Sequence, residues 1–424
     1  MKKRFLFLYP FLLLLSACSF PVQKLCLNKV EEEIISEPVE EIVSSRKLTL
    51  LVYMAADNDL ERYALENLKA MERADYESMN VLVLLDRAEG FDETEGDWTD
   101  TRLFEIIHDE SPNSAIKSHR LDCPQLGISS TENTELDMSN PLVLKNFIRF
   151  GKNQYPAEKY ILIIWGHGMG WQAATIDDRS GTYMSIAELG DAVRDESLSI
   201  IGFDTCFGGV FENLYELKDC AEYTVACPGV TPSSGWNYKS LLERIDDERD
   251  SQSIAVKMAE SSSVQTCVFI NSKLSDVMEK FEIFSKTLAQ SVVSTSTRED
   301  VFQSLINCNS YTYTQYPCDL YLDMYSVGMV FLQAGNNTLQ ECAEQLRNAV
   351  NNCVLFSNNG TCGLGIYLIG KTAAGVVSSS HSQKYLRDSI QENKCSFVLE
   401  SQWWVPTSGG NSGSLLDKLF YTSF

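Results

Sequence analysis

The sequence predicts an α/β fold in which a mostly parallel sheet is covered by helices on both faces. Strand candidates alternate with helix candidates from residue 47 to about residue 227. The strand candidates are continuous apolar runs, such as "KLTLLVYM" and "KYILIIW", and do not alternate inward and outward residues. Such runs need cover on both sides, which crossover helices supply. Polar clusters follow three of the runs: "AADND", "GHGMGW" and "DTCFGG". In open α/β sheets these carboxyl ends are where ligands gather.

The elements follow in order. Residues 47–54 form the first strand, after which Asp57, Asn58 and Asp59 cap a helix whose face is Leu60, Ala64, Leu68 and Met71. "NVLVLLD" (80–86) and "TRLFEII" (101–107) are strands paired through an acidic, glycine-containing loop. A helix at 141–153 precedes the strand 159–165, and a helix at 185–193 precedes the strand 198–204. A helix at 210–219 leads to an extended segment at 222–227. Beyond residue 270 the pattern weakens to helices at 273–291 and 325–352, separated by a Ser/Thr-rich stretch, and a strand at 363–370.

With 44% hydrophobic residues the chain of 424 can bury a substantial core. Its net charge of -23 argues against nucleic acid as a partner and favours basic polypeptides, although most of these acids serve as a solvated exterior. Thirteen cysteines offer no CxxC spacing, and with four histidines a structural zinc site lacks support.

The N-terminus reads as an address. "MKKR" is a positive segment and "FLFLYPFLLLL" is too short to span a bilayer. The following Leu15-Ser16-Ala17-Cys18 resembles the lipobox of bacterial lipoprotein signal peptides. That resemblance implies removal of residues 1–17, lipidation of Cys18, and a place in the bacterial cell envelope, anchored rather than membrane-spanning. Residues 18–46, acidic and with Pro38, read as a tether.

Two residues carry the chemistry. Cys206 and His167 each stand just past a buried strand, with glycines beside them. A thiol attacks as thiolate, and an imidazole can take its proton. A helix opening near Val210 would favour the anion. Gly208 and Gly209 would turn the Cys206 amide outward, and Gly168 would let the backbone beside His167 approach a substrate carbonyl, together forming an oxyanion hole. "GHGMGW" is not a phosphate loop, because no helix starts after it and its third glycine is out of register.

The segments "LVYMAADNDLERYALENLKAME", "KYILIIWGHGMGW", "IIGFDTCFGGVFENLYELKDCAEYTVACPGVTPSSGWNY" and "GLGIYLIG" together resemble the clostripain family of cysteine peptidases, which have a caspase-like fold. The resemblance implies a catalytic domain at 47–270 and a C-terminal region at 271–424 that packs on or extends it. It implies a Cys206–His167 dyad and cleavage of polypeptides after Arg or Lys. Gly168 and the Cys206 amide would hold the oxyanion, and Asp204, Ser234 and Trp236 would form the substrate pocket. Asp57 would shape the site, and Arg179 in "DDRSG" would be the point of self-processing. No metal is required for the chemistry. Calcium is the one cofactor the family leaves open, and the Asp177–Asp178 pair reads as solvated rather than as its ligand set. Relatives carry more acids around the "GW" turn than Thr231, Ser233 and Ser234 provide, and often asparagine where Gly166 stands. The competing reading is a non-catalytic binding or adhesion lipoprotein on a peptidase scaffold.

Overall fold

β1 (Arg46–Ala56) divides its side chains between two cores, which is what a strand without polar alternation requires. Leu51, Tyr53 and Ala55 join one hydrophobic cluster. Leu48, Leu50, Val52, Met54 and Ala56 join the other. The computed structural model describes residues 46–111, 115–311, 319–358, 363–369, 395–401, 403 and 413–420. The signal segment, Cys18 and the tether short of Arg46 lie outside the described residues.

Among the described residues the central sheet has nine strands. β2 (Met79–Arg87), β1, β5 (Ala157–Gly166), β8 (Leu198–Asp204) and β9 (Ala221–Ala226) lie side by side and parallel. β3 (Thr101–Glu105) and β4 (His119–Arg120) extend it antiparallel beyond β2. β10 (Cys267–Ile270) and β13 (Val354–Ser357) do so beyond β9. On one face pack α1 (Glu61–Glu72), α5 (Tyr238–Ile245) and α6 (Ser251–Glu260). On the other pack α2 (Pro141–Gln154), α3 (Ile186–Val193), α4 (Phe211–Glu216) and α7 (Leu274–Ser291). The doubly covered, mostly parallel sheet is the predicted architecture.

Three local expectations are corrected. Asp57, Asn58 and Asp59 do not cap α1: Leu60 is its N-cap and offers no side-chain bond, while Asn58 Oδ1 accepts from the Leu60 amide at 3.0 Å. The turn is therefore spent on the site, not on the helix. The helix expected over 325–352 is two, α9 (Met324–Phe331) and α10 (Asn337–Cys353); the side chain of Asn336, just past Gly335, caps the second. The Ser/Thr-rich stretch starts α8 (Thr295–Ile306), because Ser294 and Thr297 form a reciprocal capping box.

A small antiparallel sheet of β11 (Ser310–Tyr311), β12 (Asp319–Asp323) and β14 (Gly365–Ile369) belongs to the same compact unit as the central sheet. It docks on the cysteine loop through the Gly365 amide, which donates to the Gly209 carbonyl at 3.0 Å. Among the described cysteines, Cys123, Cys206, Cys220, Cys227, Cys308, Cys342 and Cys395 are free thiols. No described helix is long and apolar enough to cross a membrane.

Candidate active site

β5 and β8 are adjacent and parallel, with Trp165 opposite Asp204. The residues that follow them, His167 and Cys206, therefore leave the sheet side by side. Gly168 sits so close to the second loop that a Cβ there would stand 2.4 Å from the Cys206 carbonyl oxygen and 2.7 Å from Thr205 Oγ1. Only glycine permits that approach. Gly166 has φ +138°, and a Cβ there would meet the Ala55 carbonyl at 2.7 Å, which bars asparagine without a backbone shift.

A cavity of about 340 Å³ opens at this edge, and His167, Gly168, Asp204 and Cys206 all line it. Tyr321 and Tyr367 of the small sheet complete its wall. Tyr321 stacks on Phe207 with ring centroids 4.9 Å apart. The sequence pattern of the first 270 residues carries no sign of these two tyrosines.

The cysteine loop differs in detail from expectation. Its positive φ, 55°, falls on Phe207 and not on a glycine. Gly208 and Gly209 instead permit contact: added Cβ atoms would lie 2.5 Å from Phe203 Cβ and 2.9 Å from the Pro228 nitrogen. α4 begins at Phe211 and has six residues, so Cys206 does not stand at its first turn. The thiol is held by the Thr231 backbone, whose amide lies 3.4 Å from the sulfur and whose carbonyl lies 3.6 Å from it. Burial raises the Cys206 pKa above that of an ordinary thiol, and the Thr231 amide offsets part of this.

His167 is half-exposed, and its Nε2 lies 2.6 Å from Asp59 Oδ1. A carboxylate accepts hydrogen bonds, so the imidazole proton sits on Nε2 and the lone pair on Nδ1. Sequence reasoning named Asp57 and missed Asp59, which is the residue that touches the histidine.

Asp204 is buried at the cavity wall. Its Oδ2 accepts from the Trp236 amide and the Tyr238 hydroxyl, each at 3.0 Å. Its Oδ1 has no partner among the described residues. Burial pushes the Asp204 carboxyl up to about 7. Trp236 is buried and does not line the cavity; its part is to hold Asp204. Ser233, not Ser234, lines the cavity. Gly235, at φ +63°, leaves room for the carboxylate, since a Cβ there would stand 2.5 Å from Asp204 Oδ2.

Asp57 and Arg179 lie apart from the cavity lining. Arg179 sits in the turn between β6 (Thr175–Asp177) and β7 (Thr182–Met184), where it donates to Glu135 Oε2 at 3.0 Å and to the Thr99 carbonyl at 3.2 Å.

The clostripain family matches residues 52–403, most of the chain. The chain belongs to the clostripain family. Clostripain of Hathewaya histolytica is 29% identical over 232 residues, covering 47% of this chain and 42% of clostripain, so less than half of that relative's length is spanned. Among solved structures, an inactive zymogen C11 protease from Parabacteroides distasonis superposes with TM-score 0.58 at 19% identity, covering 82% of this chain and 97% of that one. A secreted C11 cysteine protease from Bacteroides thetaiotaomicron, in complex with an irreversible peptide inhibitor, superposes with TM-score 0.56 at 20% identity, covering 81% and 97%. These likenesses are of fold, and the fold of the family is caspase-like.

Proposed function

We propose that the chain is a cysteine endopeptidase that cleaves polypeptides after Arg or Lys, with Cys206 as nucleophile and His167 as its base. The observation that carries this reading is the meeting of the two loops: His167 and Cys206 leave adjacent parallel strands and line one cavity. Membership of a cysteine peptidase family supports it.

The resting thiol is neutral, since burial disfavours the thiolate. As substrate enters, the Cys206 proton passes to His167 Nδ1 while sulfur attacks the scissile carbonyl carbon. The backbone amides of Gly168 and Cys206 hold the resulting oxyanion. His167 then returns the proton to the leaving amine, and the C–N bond breaks to leave a thioester on Cys206. Water, losing its proton to His167, hydrolyses the thioester and restores the thiol.

Asp204 reads the residue before the cut. Its Oδ1, without a partner among the described residues and at the cavity wall, is an acceptor for a guanidinium or ammonium group. Arg179 would be the self-processing point. Cys18 would carry the lipid that holds the protein in the cell envelope, a reading that palmitate labelling, lost in Cys18→Ser, would support.

A second reading, a non-catalytic binding lipoprotein, draws on the raised thiol pKa and on Asp204 being the one carboxylate among the described residues that line the cavity. Turnover of Arg- and Lys-ending peptide amides, with Cys206→Ala and His167→Ala as controls, decides between the two. Turnover lost in both variants supports the peptidase; no wild-type turnover before or after nicking at Arg179, together with no labelling by a thiol-reactive peptidyl probe, refutes it.

A further inference from the structure

Tyr321 of the small sheet touches both catalytic loops. Its ring stacks on Phe207, the residue after Cys206, with centroids 4.9 Å apart and planes 25° from parallel. Its far end lies over Gly170, three residues past His167: a Cβ on Gly170 would run into the Tyr321 hydroxyl and stand 2.7 Å from Cζ. The same ring meets Tyr367 edge-on at 5.3 Å, and Tyr367 meets Trp171 at 6.0 Å. A chain of four rings, Phe207–Tyr321–Tyr367–Trp171, thus begins on the cysteine loop and ends on the histidine loop. All four are buried residues at the wall of the cavity.

Phe207 needs such support. Its φ of 55° is a left-handed conformation that a bulky aromatic residue adopts only where its surroundings impose it. The Phe207 amide donates to the Gly229 carbonyl at 2.7 Å, and Asn213 Nδ2 donates to the Phe207 carbonyl at 3.2 Å. These bonds hold the main chain on either side of the Cα, and the ring is held by Tyr321. Relaxation of Phe207 to an ordinary φ would swing the Cys206–Phe207 peptide, whose carbonyl oxygen abuts Gly168. The nucleophile and the base would then lose their common frame. On the other loop, Gly170 at φ +58° admits the Tyr321 ring because it carries no side chain.

We propose that Tyr321 is a positioning residue of the peptidase reaction, a clamp that holds Cys206 and His167 in register through Phe207 and Gly170. The clamp rests on the reading of those two residues as a peptidase dyad, and it makes the small sheet part of the catalytic machinery. Reacting groups displaced by about 1 Å lose rate steeply, so the clamp acts on kcat more than on substrate binding. Stacking suits the task because it is directional. An aliphatic side chain of similar size fills the space without fixing the tilt of the Phe207 ring.

Variants of the full-length chain, each checked for folding by thermal unfolding, separate the clamp from simple space-filling. Tyr321→Leu should lower kcat by about tenfold or more and move KM by less than about threefold. Tyr321→Phe, which keeps the ring, should hold kcat within about threefold of the wild type. Phe207→Gly adopts a φ of 55° without strain and should need no clamp, so adding Tyr321→Leu to it should cost less than about twofold further. Gly170→Ala, whose methyl would press Tyr321 away, reaches the same contact without altering β12 and should also lower kcat with KM little changed. Equal losses from Tyr321→Leu in the two backgrounds, a loss confined to KM, or full kcat in Gly170→Ala overturns the clamp. A second measurement needs no turnover. Alkylation of Cys206 by iodoacetamide, read by mass spectrometry of its peptide, should be slowed in His167→Ala and slowed as much in Tyr321→Leu, but not in Tyr321→Phe. Alkylation at the wild-type rate in Tyr321→Leu overturns the clamp even where the wild type cleaves nothing. Alkylation at the wild-type rate in His167→Ala would remove the dyad itself, and the clamp with it.

Discussion

His167 Nε2 and Asp59 Oδ1 lie 2.6 Å apart, although 108 residues separate them in the chain. The contact joins the loop after β5 to the turn after β1, so the imidazole is oriented from the neighbouring strand end. Asp59 touches no reacting atom and is a positioning residue. Asp59→Asn keeps a side-chain acceptor but removes the charge that stabilises the imidazolium. It should lower kcat roughly tenfold with KM little changed and move the pH profile of kcat/KM. Asp59→Glu should restore part of the rate. An effect confined to KM or to thermal stability would show that the contact does not orient the base.

Asp204 supplies the charge that a basic side chain would meet. Asp204→Asn should reduce kcat/KM on Arg and Lys substrates by about a hundredfold, the scale of a lost buried charge pair, and change a neutral-residue substrate little. In the wild type, kcat/KM on a basic substrate should rise as pH climbs through about 7, because the carboxylate becomes charged there. An equal loss on basic and neutral substrates would remove Asp204 from the specificity pocket.

Gly168 tests how tightly the two loops meet. In Gly168→Ala the methyl would fall 2.4 Å from the Cys206 carbonyl oxygen, a backbone atom that cannot swing aside. The loops must part, at a cost of roughly 1–3 kcal/mol in stability. Activity should fall by more than this stability loss explains, since the Gly168 amide moves with the loop. Near-wild-type turnover would mean that the oxyanion is held elsewhere.

The parallel core was legible because each of its strands is a continuous apolar run ending in a polar cluster. β8 ends at Asp204, where "SIIGFD" ends. The pairing of His167 with Cys206 followed from two such ends, and their adjacency follows from the β5–β8 register. What was not legible lacks a local signal. Asp59 is an exposed acid in a run that reads as a helix cap, and its partner is chosen by tertiary placement. Tyr321 and Tyr367 reach the cavity from short strands whose pairing spans long sequence distances. The break near Gly335 hides in a sequence whose apolar spacing continues on both sides.

The Asp204 carboxyl also makes stability depend on pH, and the sign is set by its raised value of about 7. Below the usual carboxylate range, near 4, both folded and unfolded chains hold the proton, so this group contributes no slope. Between there and about 7 the folded protein keeps a proton that the unfolded chain has released, so stability falls as pH rises. Above that window both are ionised and the penalty stays constant, at most roughly 4 kcal/mol from the size of the shift. Asp57, raised to about 6, and Glu135, raised to about 7, slope the same way, so the wild type alone cannot apportion the effect. Asp204→Asn isolates it. The amide matches the protonated acid in shape, its oxygen can keep the bonds from the Trp236 amide and the Tyr238 hydroxyl, and it does not titrate. Denaturant unfolding from pH 5 to pH 8 should show the variant gaining on the wild type as pH rises. A difference that stays flat across that range would mean that Asp204 is already ionised in the folded protein at pH 5.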